Sequence, residues 1–226
     1  MRLVPSGNRA GMSDSDISGD SDAHPLVLAL DYRVDDVEKT LSLIRSDQSP
    51  LVELGARHAV LYVSTTEPDR VLVTIGLRRR VSVAELLRSP AAFAWFDDCG
   101  VNDLPAIFAG EVWEKINLAD SADAPNGTEV VVGVVASVAD PAQVMVGVHA
   151  GLARFAGAGI RKVWVYRAVD DGHEVMTLLE IENAAGAQAW ISQPDSAAAW
   201  MAHDATGGYP TPFVGKLAAT IDLMTA

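Results

Sequence analysis

The sequence has 226 residues, 49% of them hydrophobic and 21% charged, which is ordinary for a globular protein and enough for one large domain or two of about 100 residues each. Its formal net charge of −13 argues against nucleic acid and anionic membranes as partners, because their phosphates demand a basic surface. The single cysteine, Cys99, excludes an intrachain disulfide and a thiolate zinc site, so a cytoplasmic location is expected.

The amino-terminal residues 1–23 are predicted to form a disordered tail. They are rich in Ser, Asp and Gly and poor in large apolar residues, so burial cannot offset the entropy cost of ordering them. The tail lacks the apolar stretch of a signal peptide, and no later run reaches the roughly 18 apolar residues of a membrane span. Met12 is a candidate for the true start of the chain.

Residues 24–118 predict a first unit with the element order βαββαβ. Its first helix is indicated by apolar residues at helical spacing from Val34 to Ile44. Its second helix opens with the capping-box pattern Ser82–Glu85 and is expected to be interrupted at Pro90. The predicted strands are 25–32, 57–64, 70–77 and 106–118.

Residues 119–128 predict a linker, and residues 129–226 a second unit with the same element order. The linker's Asp, Pro, Asn and Gly residues support neither a strand nor a stable helix. Asp140-Pro141 predicts a capped start for the first helix of this unit, and its second helix is expected to be interrupted at Pro194. The predicted strands are 129–136, 161–168, 173–181 and 212–223.

An internal repeat relates the two units. A shift of 104 residues, rising to 105 near the carboxyl end, brings identical residues together in a constant order. A fixed period indicates a duplicated structural unit, and one near 100 residues is too long for a solenoid. The matched pairs include Gly55/Gly159, Arg57/Arg161, Tyr62/Tyr166, Val71/Val175, Phe108/Phe213 and Gly110/Gly215.

The element order predicts an α+β fold made of two tandem ferredoxin-like βαββαβ units. The predicted strands are apolar on both faces, and the helices of a unit can cover only one of them. We therefore expect the two units to pack sheet to sheet as a pseudo-dimeric α+β barrel. The chain would be a monomer with pseudo-twofold symmetry or a homodimer.

This pattern resembles the dimeric α+β barrel superfamily, in which two ferredoxin-like units pack sheet to sheet. The segment Leu87–Phe93 is similar to the Ser-Pro-His-Phe stretch of its antibiotic-biosynthesis-monooxygenase-like members. Family members often have a histidine immediately after that proline, whereas this chain has Ala91 there in the first unit and Asp195 in the second. The resemblance implies a cofactor-independent monooxygenase-like activity on a polyketide-like or aromatic substrate, with haem binding as a further alternative.

Aromatic residues on two predicted strands are candidates for ligand binding. Strand alternation places Tyr62 on one face of the first unit, and Trp164 and Tyr166 on the same face of the second. If that face lies between the sheets, it offers aromatic walls to a small molecule. The alternative is that these rings only fill the core between the sheets.

A second group of candidates ends the second helix of the second unit. Trp200 is a candidate ligand contact, while His203, Asp204 and Tyr209 are candidate catalytic residues. A His–Asp pair can act as base and orienting group, but it needs a reacting partner that the sequence does not identify. The alternative is a buried tryptophan beside a solvated helix end.

The sequence therefore leaves two functions open. One is binding or sensing of an apolar or aromatic small molecule by a catalytically degenerate member, and the other is the monooxygenase-like enzyme. No phosphate-binding, dinucleotide-binding, metalloprotease or serine-hydrolase motif occurs, so no metal and no cofactor is predicted.

Overall fold

The computed structural model describes residues 26–77, 85, 88–101, 103–118, 130–192 and 211–223. Within these ranges the strands are β1 (Leu26–Arg33), β2 (Ala56–Ser64), β3 (Arg70–Leu77), β4 (Ala106–Asn117), β5 (Val130–Ser137), β6 (Ile160–Ala168), β7 (Glu174–Ile181) and β8 (Phe213–Asp222). The helices are α1 (Val37–Ser46), α2 (Ser49–Glu53), α3 (Pro90–Cys99), α4 (Pro141–Gly157) and α5 (Ala184–Ile191).

The eight strands form one closed antiparallel barrel in the order β1-β3-β2-β8-β5-β7-β6-β4. Each half contributes a four-stranded ferredoxin-like sheet, β4-β1-β3-β2 or β8-β5-β7-β6. Two seams close the barrel, because β2 pairs with β8 and β4 pairs with β6. The predicted fold class is confirmed, and hydrogen-bonded seams join the two sheets at their edges.

The strand pairings repeat residue by residue between the halves. Leu26 pairs with Leu77 across β1 and β3, and the shift of 104 turns this pair into Val130 and Ile181 across β5 and β7. The register irregularity at Ala56/His58 recurs at Ile160/Lys162. The internal repeat therefore extends to the strand register.

The matched glycines Gly55 and Gly159 have a conformational reason to recur. Their φ angles are 75° and 78°, in the left-handed region that side chains other than glycine rarely adopt. Gly55 lies immediately before β2, which follows α1 and α2, and Gly159 lies immediately before β6, which follows α4. The chain therefore turns into both sheets with the same backbone conformation.

Among the described residues, three apolar clusters stabilise the barrel. Two of them lie between each sheet and its own helices, for example Leu28 and Ile44 in the first half and Val132 and Phe155 in the second. The third lies between the two sheets, inside the barrel. It consists of Val27, Ala29, Tyr62, Leu72, Phe108, Val131, Tyr166, Met176, Leu178 and Phe213.

The helix interruption predicted at Pro90 agrees with the structure. Glu85 is helical, Arg88 and Ser89 lie in a turn, and α3 begins at Pro90, where the Ser89 side chain accepts a hydrogen bond from the Ala92 backbone N–H. Proline suits this position because the first helical residues need no N–H donor. Asp140 caps α4 in the way that the sequence predicts, by accepting from the Ala142 N–H at 2.9 Å.

Several predictions lie outside the described residues. They are the tail 1–23, the linker 119–128, the residues before Glu85 in the capping-box pattern, and the chain around Pro194. The unit boundaries at 24–118 and 129–226 stay predictions. None of the described helices is long and apolar enough to cross a membrane.

Candidate ligand-binding site

A cavity of about 230 Å³ lies between the two sheets. Its described lining is mostly apolar and comes from six strands or their flanking residues, three in each half. The polar exceptions are Asp31 on β1 and Thr211, just before β8. The lining residues are Ala29, Asp31, Leu72, Ala106, Ile107, Phe108, Gly133, Val134, Val135, Met176, Thr211 and Phe213.

Equivalent positions of the two repeats face this cavity together. Five pairs related by the shift of 104 or 105 residues account for ten of the twelve lining residues. The cavity therefore lies where the pseudo-twofold relation brings the halves together and belongs to neither half alone. The pairs are Ala29/Gly133, Asp31/Val135, Leu72/Met176, Ala106/Thr211 and Phe108/Phe213.

A Phe-x-Gly sequence shapes the cavity wall in each repeat. The Phe108 ring lies over Gly110, and the Phe213 ring lies over Gly215 on the equivalent strand. A Cβ atom on either glycine would lie within 2.5 Å of the ring, so only glycine leaves room for this ring position. Each ring position therefore depends on the glycine two residues later in the chain.

A buried ion pair lies at the polar end of the cavity. The Asp31 carboxylate accepts two hydrogen bonds from the Arg70 guanidinium, from Nε to Oδ1 at 2.9 Å and from Nη2 to Oδ2 at 2.7 Å. The side chains are only 17% and 7% exposed. The guanidinium carbon also lies 5.5 Å from the centre of the Phe213 ring, in cation–π contact with the cavity wall.

Further charged groups hold Arg70 in place. Glu67 accepts from Arg70 at 2.7 Å and also contacts Arg33, which donates to Asp69 at 2.8 Å. The hydrogen bond from Arg70, helped by Arg33, holds the pKa of Glu67 below its ordinary value. The network fixes the guanidinium from the side away from the cavity.

The predicted aromatic candidates do lie between the sheets. Tyr62 and Tyr166 belong to the inner cluster, and Trp164 packs against it. The Trp164 and Tyr166 rings are stacked with centres 6.2 Å apart. The Trp164 Nε1 donates to Glu180 at 3.0 Å, and Lys162 pairs with the same carboxylate at 3.1 Å.

These aromatic residues are separate from the described cavity lining, which includes none of them. Burial, with Glu180 as a further cause, raises the pKa of the Tyr62 and Tyr166 phenols well above the ordinary tyrosine value. Such phenols stay protonated at neutral pH. Ligand binding by Tyr62, Trp164 and Tyr166 stays a prediction.

The other candidates, Trp200, His203, Asp204 and Tyr209, lie outside the described residues, so their roles also stay predictions. Cys99 is buried in the outer core of the first half, and burial raises the pKa of its thiol to about 11, which makes it a poor nucleophile.

Sequence reasoning missed the polar end of the cavity. Asp31 and Arg70 lie 39 residues apart and meet because β1 and β3 are neighbours in the sheet. The sequence feature that could have indicated this polar end is the acidic residue Asp31 within the apolar run 25–32. Phe108 and Phe213 were recognised as a repeat match but not as cavity walls.

Comparison with known proteins supports the fold and nothing finer. No known family model matches the sequence, and no curated protein does. An anthrone oxidase-like protein has a TM-score of 0.64 at 15% identity, with 88% of this chain and 93% of that chain covered. A candidate chlorite dismutase has a TM-score of 0.54 at 16% identity, with 87% and 95% covered. A candidate monooxygenase from Fusobacterium nucleatum subsp. nucleatum has a TM-score of 0.51 at 8% identity, with 89% and 95% covered.

The chain has the dimeric α+β barrel fold. In this dimeric α+β barrel a single chain supplies both sheets and both seams. The closed ring of strands needs no second copy to complete it.

Haem was the alternative cofactor raised by the resemblance to the dimeric α+β barrel superfamily. The described lining of this cavity has no histidine, cysteine or tyrosine to act as an axial ligand for it. His149 contacts Glu114 at 3.0 Å and His173 contacts the Val138 carbonyl at 3.1 Å, both away from the cavity lining. In the described ranges, no group of three or more His, Cys, Asp or Glu is placed to hold a metal ion.

Proposed function

We propose that this protein binds a small apolar or aromatic molecule in the cavity between its two sheets. The observation that carries the proposal is the cavity itself, about 230 Å³ of mostly apolar space. Small-molecule sites are typically concave, mostly apolar and provided with a few polar groups, as this cavity is. The two phenylalanine rings supply flat walls that suit an aromatic ligand.

The cavity volume limits the size of the ligand. An engineered apolar cavity of about 150 Å³ in another protein stays dry and binds benzene. The present cavity is about one and a half times as large, which suggests a bicyclic aromatic such as naphthalene. Burial of apolar surface would drive binding, at roughly 25 cal/mol for each Å² removed from water.

Naphthalene titration with a calorimetric readout tests the proposal. The wild type is expected to bind, whereas Gly133→Val should bind at least about tenfold more weakly, because its side chain enters the cavity beside Leu72. Gly157→Val is the matched control, since Gly157 is exposed on α4 with nothing within 4 Å of an added Cβ. No binding to the wild type, or equal binding by both variants, would contradict the proposal.

The second candidate function is a cofactor-independent monooxygenase acting on a polyketide-like or aromatic substrate. The likeness to the anthrone oxidase-like protein, at a TM-score of 0.64, favours it. Oxygen uptake with anthrone, with and without the protein, tests this candidate. Acceleration that is lost in His203→Ala would support catalysis and assign the predicted role to His203, while no acceleration supports binding alone.

The proposal treats the protein as a monomer in a cytoplasmic setting, with no nucleic acid or membrane as partner. The closure of the barrel within one chain supports the monomer. Sedimentation at increasing protein concentration tests it, and a stable dimer would contradict it.

A further inference from the structure

The Arg70 guanidinium has no hydrogen-bond donor left for a ligand. Its five N–H groups match five contacts, three of which go to carboxylates: Nε and Nη2 to Asp31, and Nη1 to Glu67. The other two go to Thr211, from Nη2 to the backbone carbonyl at 2.8 Å and from Nη1 to Oγ1 at 3.3 Å. All the N–H donors of the positive group beside the cavity are therefore taken by hydrogen bonds within the protein.

Asp31 still has acceptor capacity. A carboxylate offers about four lone-pair sites, and Arg70 uses one on each oxygen. Asp31 also lines the cavity, where β1 alternation turns it to the same side as Ala29. The polar end of the cavity can thus accept hydrogen bonds, while its neighbouring cation cannot donate any more.

We propose that the ligand of this cavity is a neutral aromatic or apolar molecule with an O–H or N–H donor at one end, which Asp31 accepts. This inference rests on the proposed function and narrows its ligand class. Arg70 is a positioning residue, because it fixes the carboxylate without touching the ligand. Carboxylate ligands are disfavoured, since they would meet Asp31 without a free donor on Arg70.

The ligand would bind in one orientation because the two repeats differ at the polar end of the cavity. The positions equivalent to Asp31 and Arg70 in the second half are Val135 and Glu174. Val135 also lines the cavity and offers the ligand only apolar contact. A ligand with one donor would bind in a single orientation despite the pseudo-twofold symmetry of the walls.

The Thr211 hydroxyl is the competing explanation for any polar selectivity. It accepts from Arg70 and keeps its own proton to donate. Thr211 is exposed, so water satisfies that proton before a ligand arrives and little is gained by replacing it. A Thr211→Val variant separates this hydroxyl from Asp31.

The test compares two ligands of nearly equal shape, 2-naphthol and 2-methylnaphthalene, by calorimetry at neutral pH. The quantity measured is the Kd of 2-methylnaphthalene divided by that of 2-naphthol. The same ratio is measured in the double variant Asp31→Val/Arg70→Met, which copies Val135 and leaves no unpaired buried charge. Differences in ligand hydration cancel when the two ratios are compared.

A hydrogen bond to a charged group predicts that the ratio is about tenfold or more higher in the wild type than in the double variant. Thr211→Val is expected to keep the wild-type ratio. Equal ratios in the wild type and the double variant overturn the inference but leave the proposed function intact. The same conclusion follows if the ratio falls in Thr211→Val and not in the double variant. If neither ligand nor naphthalene binds the wild type, the proposed function fails as well.

If the double variant does not fold, the preference of the wild type for a neutral ligand over a negatively charged one tests the inference instead. The wild type is then expected to bind 2-naphthol at least about tenfold more tightly than 2-naphthoate. Equal or tighter binding of 2-naphthoate overturns the inference.

Discussion

The Phe108 ring lies 2.5 Å from the position that a Cβ atom on Gly110 would occupy. The Arg167 carbonyl on the neighbouring strand β6 lies 2.6 Å from the same position. In the second repeat, the Phe213 ring and the Val63 carbonyl surround Gly215 in the same way, at 2.3 and 2.8 Å. Each glycine thus serves both the cavity wall and a seam of the barrel.

Alanine at either glycine is expected to destabilise the protein. A Cβ atom must displace the phenylalanine ring and a backbone carbonyl, and such overpacking costs about 1–3 kcal/mol. Urea unfolding of Gly110→Ala and Gly215→Ala should show this loss in the free energy of unfolding. Gly157→Ala is the control, expected to match the wild type or gain up to about 1 kcal/mol from helix propensity. Variants at the two strand glycines that match the control would contradict this account of the seams.

The two halves are expected to remain associated after the chain is cut between them. Protease cleavage in the predicted linker, residues 119–128, removes the covalent link but neither the β2–β8 nor the β4–β6 seam. The cleaved protein should elute from a sizing column as one species under native conditions and as two fragments in denaturant. Separate elution under native conditions would show that the seams are not stable by themselves.

The sequence was sufficient for the fold because a duplication repeats every signal. Strand runs, helix spacing and matched residues such as Tyr62/Tyr166 each occur twice, so an uncertain element in one repeat is supported by its counterpart. Alternation also placed Trp164 on the inner face correctly. Pro90 marked a helix boundary correctly, since the structure has a turn at Arg88 and Ser89 and a helix that begins at Pro90 with Ser89 as its cap.

The candidate site was much less predictable. The strands of a closed barrel are staggered, so residues on the inner face of one strand can lie at either end of the interior. Tyr62 and Asp31 both face inward, yet only Asp31 lines the described cavity. The contact between Asp31 and Arg70 depends on strand order and register, which a single sequence does not determine.

Alkaline pH is expected to destabilise the protein through its buried tyrosines. Burial raises the pKa values of Tyr32, Tyr62 and Tyr166 above the unfolded value of about 10. The stability from their protonated phenols is therefore fully present below about pH 10 and is lost as the pH rises above it. Phenolate absorbance followed with pH should show these three residues ionising together with unfolding.

The double variant Tyr62→Phe/Tyr166→Phe provides a comparison for this titration. Above about pH 10 it should lose less stability than the wild type, because it lacks two of the three tyrosines whose phenol pKa is raised by burial. Three phenolates that appear at the ordinary pH while the circular dichroism stays native would contradict the burial of these side chains.

Two buried methionines of the second half can report whether the inter-sheet cavity binds an apolar molecule. Met176 lines the cavity, whereas Met145 lies on the other side of the sheet, in the outer core with α4. The measurement is the nuclear magnetic resonance spectrum of isotope-labelled methionine methyl groups during titration with naphthalene. We expect the Met176 methyl resonance to shift as binding saturates, while that of Met145 stays in place. Saturable binding that leaves Met176 unmoved, or that shifts Met145 equally, would contradict binding in the inter-sheet cavity.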